Sequence, residues 1–295
     1  MNRIISIVGA GRVGRTLGKC LHDLGWRMGA VITRSDATSR AAVRAIGRGA
    51  AYHAITPQAL EADIILLTTP DDLLASTAAE LASVAARERV ALRGKVILHT
   101  SGALDRTVLK PLARLGAATG SLHPMQTFSG RNVPKLKRTT FAIEGDPRAR
   151  QVARSIARAL GGVPIDIDRK NKPAYHAAAI LVAGHTLALA EAATQVLIDV
   201  GFPRRRALQT LLPLMRQVLD NFERLGPRAS WTGPVARGDY AVVARHMKAL
   251  RRYAPEFHQS YATLARLSAR VLSAKPGTQL RELERVLKNS RGGKN

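Results

Sequence analysis

The sequence predicts an α/β protein: a doubly wound sheet over residues 1–169, an all-helical region over 170–289 and a short basic tail over 290–295. Three observations carry this expectation. An apolar, β-branched run ending at Val8 feeds straight into Gly9-Ala10-Gly11-Arg12-Val13-Gly14 and then into helical spacing. Strand-like runs alternate with helical ones as far as Ile167. From Lys170 onward no stretch reads as a strand.

The first of these is a G-x-G-x-x-G between a strand and a helix, the context a dinucleotide fingerprint requires. Gly9 permits the tight turn, Gly11 lets the backbone approach a pyrophosphate, and Gly14 lets the helix pack on the strand. The pyrophosphate then meets the unpaired N–H groups and positive end of the helix, around Ala10, Arg12 and Val13. The apolar face of that helix is Val13, Leu17, Cys20, Leu21 and Leu24.

The second strand, Ala30-Val31-Ile32, runs into Thr33-Arg34-Ser35. Sites that prefer NAD carry an acid at this point for the ribose 2′-hydroxyl. A guanidinium flanked by two hydroxyls suits a 2′-phosphate instead, so NADP(H) is expected in preference to NAD(H). Asp36 is expected to cap the helix that follows, over 39–46.

Further strands are expected at 62–68, 95–99, 119–122, 140–144 and 163–167, all parallel, with helices at about 72–86, 105–115 and 148–160. Asp71 or Asp72 is expected to cap the first of those helices. Ligands of such sheets collect beyond the carboxyl ends of the strands. That places Thr69 and Pro70, Thr100 and Ser101, and His123 to Gln126 around one cleft.

The helical region divides into 172–200, 203–225, 239–253, 255–274 and 278–288. Pro203 and Pro255 suit first helical positions, Pro213 is expected to kink its helix, and Asp239 to cap the next.

The chain has 295 residues, 46% of them hydrophobic, a formal charge of +25 and one cysteine. The lone Cys20 excludes an internal disulfide and a cysteine-based metal cluster, and it falls on an apolar face where burial is expected. The arginines are scattered, aromatics are 4%, and no nucleic-acid-binding signature accompanies them, so specific nucleic-acid binding is not expected. The first residues are too few for a signal segment. The longest apolar tract, 177–190, contains His185 and is too short for a membrane span. A cytoplasmic protein without membrane contact is the expectation. Neither a metal-ligand pattern nor a nucleophile elbow is present.

Lys172 and His176 stand four apart at the start of the first long helix and share a face. Facing a cleft, they serve as proton donor and substrate anchor; the alternative is a surface lysine and a core histidine. His123, at a strand end, is a better catalytic candidate than His246. Arg237, in the turn-rich Ser230–Asp239 loop, can fork onto a carboxylate, or the loop is a plain connection.

Five motifs occur in order: His99-Thr100-Ser101-Gly102-Ala103; Gly120-Ser121-Leu122-His123-Pro124-Met125-Gln126-Thr127-Phe128; Phe141-x-Ile143-Glu144-Gly145-Asp146; Lys172-x-x-Tyr175-His176-Ala177-Ala178-Ala179; and Thr232-Gly233-Pro234-x-x-Arg237-Gly238-Asp239. With these the chain resembles the Rossmann-like oxidoreductases whose C-terminal part is the domain of unknown function 2520. It is similar, more distantly, to ketopantoate reductases, pyrroline-5-carboxylate reductases and 6-phosphogluconate-type dehydrogenases. The resemblance implies an N-terminal NAD(P) domain, a 6-phosphogluconate dehydrogenase C-terminal-like helical domain that forms a homodimer, and an active site between them. It implies a proton-handling role for Lys172, with His123 or His176 orienting the reacting oxygen and Thr100 and Ser101 lining the nicotinamide end. Relatives often carry an Asn two turns along the lysine helix; here Ala183-Gly184-His185 stands in its place, and His185 is the substitute. Gln126, His185, Thr232 and Arg237 are the implied contacts to a small anionic substrate. The implied reaction is NADP(H)-dependent reduction of a ketopantoate-like carbonyl; a pyrroline-type imine reductase and a non-catalytic dinucleotide sensor are the alternatives.

Overall fold

The computed structural model describes residues 3–130 and 134–289, so the expected basic tail over 290–295 lies outside the described residues. The chain divides into two compact units, Met1–Gly184 and His185–Asn295.

The first unit begins β1 (Ile4–Val8), α1 (Arg12–Asp23), β2 (Arg27–Ile32), α2 (Asp36–Ile46) and β3 (Ala50–Tyr52). It continues β4 (Ile64–Leu67), α3 (Leu74–Arg87), β5 (Val96–His99), α4 (Lys110–Arg114) and β6 (Ala118–Pro124). It closes with β7 (Thr140–Gly145), α5 (Pro147–Ala159), β8 (Val163–Asp166) and α6 (Lys172–Val182). The eight strands form one sheet in the order β3-β2-β1-β4-β5-β6-β7-β8. From β1 the chain moves outward through β2 and β3, then crosses back to place β4 on the other side of β1. The reversal between β1 and β4 is the position where open α/β sheets form their ligand crevice.

The inner strands are buried on both faces, and their alternation sorts side chains between two cores; the edge strands β3 and β8 contain no buried residue. Ile5, Ile7, Ile64 and Leu66 meet Leu17 and Leu21 of α1, Ile46 of α2 and Val152 and Ile156 of α5. Val8, Ile65, Leu67 and Ile97 meet Leu74 and Leu81 of α3 and Leu112 of α4. Continuous apolar runs of this kind mark strands covered by helices on each side.

The sheet departs from the expected all-parallel arrangement at one place. β6 and β7 are antiparallel, with Leu122 opposite Ile143, whereas β7 and β8 are parallel. The described residues between β6 and β7 form no helix, and a parallel return needs a crossover of a dozen or more residues, usually helical. The three-residue β3 was not expected, because Ala50-Ala51-Tyr52 carries little strand signal.

Two expected caps are replaced. Ser35, not Asp36, caps α2, its hydroxyl accepting from Thr38 N–H at 3.3 Å; Asp36 faces His53 at 2.9 Å. Neither Asp71 nor Asp72 caps α3, which is entered through a short 3-10 turn over Asp71–Leu73. Cys20 is half-buried against the first core, and burial pushes its thiol pKa up.

The second unit comprises α7 (Gly184–Asp199), α8 (Arg204–Ser230), α9 (Pro234–Arg237), α10 (Tyr240–Leu250), α11 (Pro255–Leu272) and α12 (Pro276–Asn289). Its core is small: Val235, Val243, Met247, Ala262, Ala265, Ala269, Leu283 and Leu287. Pro203 precedes α8 as its cap residue rather than opening it, while Pro255 does open α11. The non-helical backbone within α8 is at Gly226 (φ 76°, ψ 175°), immediately before Pro227, and not at Pro213. Asp239 makes no capping bond; its carboxylate accepts from Arg237 Nε at 2.8 Å.

Phe141, on β7, is fully buried, and its ring lies so close to Gly162 that a Cβ there would meet Cδ2 at 2.5 Å. Truncation to alanine leaves a cavity that the sheet cannot close. Urea denaturation of Phe141→Ala should show a loss of about 3–5 kcal/mol.

Candidate active site

The glycine turn after β1 is built by contacts that leave no room for side chains. Gly9 has φ +84°, and a Cβ there would stand 2.5 Å from Thr69 Cγ2 and 2.7 Å from Thr69 N. Gly14 packs against Thr68 Oγ1 and Ile7, and that same hydroxyl donates to Gly9 O at 2.8 Å. Gly11 differs: a Cβ there would meet only Gly9 O, at 3.7 Å. The protein's own packing therefore does not demand glycine at 11, whereas the approach of a ligand backbone would. The N–H groups of Gly9 and Ala10 bond Ile32 O, and that of Gly11 bonds Gly9 O. Helix geometry leaves those of Arg12, Val13 and Gly14 without intrahelical acceptors. Beside the turn, Thr69 Oγ1 is buried without a hydrogen-bond partner among the described residues, an arrangement that costs about 1–3 kcal/mol unless a ligand or water answers it. Pro70 is exposed next to it.

At the end of β2 the three expected residues part company. Thr33 Oγ1 bonds Thr38 Oγ1 at 2.6 Å, and Ser35 is committed to its cap. Arg34 is exposed and makes no hydrogen bond or ion pair with the described residues, which leaves its guanidinium available.

At the ends of β5 and β6 a buried network replaces the expected open cluster. Lys172 is 0% exposed, the reverse of a surface lysine. Its Nζ donates to Ser101 O at 3.1 Å and to Ser121 Oγ at 2.9 Å. Burial depresses its pKa to about 8, against the attraction of Glu144, Asp105 and Asp71. Ser101 is saturated: Oγ donates to Asp71 Oδ2 at 2.7 Å and accepts from the N–H groups of Ala103 and Leu104 at 3.2 and 3.0 Å. It clamps the loop after β5 and has no spare proton. Thr100 is half-buried beside it, its N–H bonded to Leu67 O at 3.1 Å. His99 is fully buried and neutral. Its Nδ1 accepts from Ser101 N–H and its Nε2 faces Asp105 O, which fixes the proton on Nε2. Burial, with Lys172 nearby, holds its pKa at about 3. Glu144 is buried too, accepts from Arg106 N–H at 2.8 Å, and has its pKa raised by burial.

His123 and His176 meet edge to face, with centroids 5.9 Å apart. Gly102 lies beneath them; a Cβ there would be 2.6 Å from His176 Cδ2 and 2.8 Å from His123 Nε2. Burial and the neighbouring Lys172 depress His123 to a pKa of about 4. The first unit thus brings Lys172, Ser101, His123 and His176 into one locality. Gln126 is exposed, its Oε1 occupied by Thr127 N–H. His185, Thr232 and Arg237 belong to the second unit, all exposed, with Arg237 paired to Asp239. His246, expected to be packed, is exposed on α10, with its Nδ1 2.9 Å from the Tyr261 hydroxyl.

Asp71, Ser121, Glu144 and Tyr175 were not expected in this network. Ser121, Glu144 and Tyr175 stand within motifs read from the sequence, but nothing in their spacing shows that they meet Lys172 or His123. The described residues hold no cluster of three or more metal-ligating side chains. They do hold one helical tract, Arg169–Asp199, long and apolar enough by length and composition to cross a membrane. It is longer than the apolar tract at 177–190 suggested.

The sheet order, the glycine turn at the strand reversal and the polar strand ends define a Rossmann-like protein. Residues 2–124 match the Rossmann-like domain, and residues 139–268 match the domain of unknown function 2520. The chain joins these two modules, the second beginning within the sheet, just before β7. No curated protein matches the chain. Among solved structures, protein TM1727 from Thermotoga maritima is 25% identical, with a TM-score of 0.66, covering 97% of this chain and 99% of that one. The Bacteroides fragilis protein BF3122, provisionally described as an NADP oxidoreductase, is 22% identical with a TM-score of 0.73, covering 90% and 98%. Pyrroline carboxylate reductase from Plasmodium falciparum, solved with NADP bound, is 12% identical with a TM-score of 0.54, covering 98% of each chain.

The depressed histidines set the acid behaviour. His99 and His123 have folded pKa values of about 3 and about 4 against an ordinary 6.5. Between these values the unfolded chain binds more protons, so stability falls as pH drops below 6.5, by at most about 1.4 kcal/mol per pH unit for each histidine. Urea unfolding between pH 6.5 and 4.5 should show this slope, and His99→Asn should flatten it.

Proposed function

We propose that the protein is an NADP(H)-dependent oxidoreductase that reduces the carbonyl of a small anionic, ketopantoate-like substrate. The observation that carries this is the cradle at the β1–β4 reversal: glycines whose Cβ positions are filled by Thr68 and Thr69, one glycine left open to a ligand, and an orphaned Thr69 hydroxyl beside it. These residues fit a dinucleotide. Arg12, Val13 and Gly14 would hold the pyrophosphate on the open end of α1, and Arg34 the 2′-phosphate. Solved relatives of this fold carry NADP or NADPH, among them the Plasmodium falciparum enzyme and a reductive aminase from Aspergillus terreus.

The nicotinamide, when bound, supplies hydride to the carbonyl carbon. The carbonyl oxygen gains one proton, and the chain's own residues manage it. His123 and His176, above Gly102, orient the oxygen. Lys172, with its pKa near 8, is the proton store behind them, and its charge favours the developing alkoxide. Thr100 and Ser101 shape the nicotinamide end. Within the first unit, Gln126 is the proposed substrate contact.

The assembly we propose is a homodimer through the helical unit. α7 buries only Thr194 and α8 only Ala207, yet Leu187, Leu214, Val218, Leu219 and Phe222 are each more than half exposed. Helices gain most of their stability from a packed apolar face, and exposed patches of this extent mark interaction sites. Glu191 and Arg204 form a bidentate pair amid these helices, which suits a second copy of the chain better than lipid. The lone cysteine suits a reducing, cytoplasmic compartment.

Fluorescence titration should show NADPH binding in preference to NADH. A charge-assisted hydrogen bond contributes about 1.5–3 kcal/mol, so Arg34→Ala should weaken NADPH by roughly tenfold to a hundredfold and leave NADH little changed. A screen of small keto acids and cyclic imines then identifies the electrophile; binding without turnover on any would favour a dinucleotide sensor. Light scattering should give a dimer mass, and Leu219→Asp should shift it toward monomer.

A further inference from the structure

Tyr175 makes one hydrogen bond among the described residues, to His123. Its hydroxyl lies 3.0 Å from Nδ1, and the two rings meet edge to face at 5.5 Å and 88°. We infer that Tyr175 is a positioning residue that fixes the tautomer of His123: the phenol donates to Nδ1, so that His123 presents Nε2–H, over the bare Cα of Gly102, to an acceptor oxygen of the substrate. The substrate half of this rests on the reductase reading; the tautomer does not.

The proton count gives the direction of the bond. A phenol has one hydrogen, and no second acceptor for it lies within reach among the described residues, so Tyr175 spends it on Nδ1. Burial raises the Tyr175 pKa to about 12, which keeps that hydrogen in place. The charged or titratable groups that face the His123 ring are Tyr175, His176 and the Lys172 ammonium. Lys172 and His176 both oppose a second proton on it, and burial opposes it further. The ring therefore stays neutral, with one N–H. Because Nδ1 is an acceptor, that N–H is at Nε2. Nε2 has no partner among the described residues, and Gly102 puts no side chain in its way.

The ring is also held in orientation. Tyr175 and His176, on α6, meet it edge to face from two positions, and both angles are close to perpendicular. A donor fixed before the substrate arrives stabilises developing negative charge on oxygen without reorganising. A neutral imidazole N–H is suited to that task because it donates without surrendering its proton. The proton itself remains the business of Lys172.

The test is the 15N NMR signature of the histidines in the full-length protein at neutral pH, with His123→Asn identifying the signals of residue 123. The expected result is an unprotonated, pyridine-like Nδ1 and a protonated, pyrrole-like Nε2. In Tyr175→Phe the two tautomers should mix and the two nitrogen shifts converge. A protonated Nδ1 in the wild type, or shifts unmoved by Tyr175→Phe, overturns the inference. Should Tyr175→Phe not fold, the wild-type spectrum decides alone. On a carbonyl substrate, Tyr175→Phe should lower kcat by about tenfold, a fraction of the roughly 10²–10⁴ that a positioned acid–base group contributes, at unchanged NADPH affinity. An equal loss of NADPH affinity would mean a general structural role and overturn it. If the wild type turns over no carbonyl, the reductase reading fails while the tautomer is still decided by the spectrum.

Discussion

A single buried ammonium organises the polar strand ends of the first unit. Lys172 comes from the first residue of α6, yet its Nζ is bonded to the carbonyl of Ser101 after β5 and to the hydroxyl of Ser121 within β6. A cation so placed must be compensated or it shifts its pKa and neutralises. Compensation comes from Glu144 on β7, Asp105 and Asp71, each on a different element. The charge thus ties the start of α6 to the loops after β4 and β5 and to the strands β6 and β7. His99 and His123 take their neutrality partly from it. Removing one carboxylate would disturb not one ion pair but the protonation of the whole cluster.

The fold was legible in the sequence where backbone geometry dictates residue type. The turn at Gly9 needs positive φ and admits no Cβ, so the glycine pattern could be read without a structure. The buried strands were legible because both faces need apolar residues. Strand direction was not legible, because Phe141-Ala142-Ile143 alternates identically whichever way it runs. The one clue was the missing helix before it. Caps were misread for a related reason: Asp36, Asp71 and Asp239 all stand at helix starts, but each carboxylate has a better partner. These partners are His53, Ser101 and Arg237.

The candidate site was legible as a set of strand ends and obscure as a network. Spacing placed Lys172 and His176 on one face of a helix, and strand ends gathered Thr100, Ser101 and His123. That Lys172 is buried depends on Ser121, 51 residues away, and Glu144 on a reversed strand. The Ser101–Asp71 and Tyr175–His123 bonds span 30 and 52 residues. Hydrogen bonds at such separations leave no periodicity to detect. The exposed face of α7 and α8 was masked by composition, since an apolar helix reads alike whether it is covered by its own chain or by another.

Gly102 carries a consequence of a different kind. Two imidazoles crowd the place where its side chain would be, so every one of the other nineteen residue types adds an atom where none fits. Surface arginines can come and go in such a basic chain, and core aliphatics can exchange with their neighbours in volume. At position 102 what evolution must preserve is an empty space. A lineage that lost the glycine could regain fitness only by giving up one of the histidines above it.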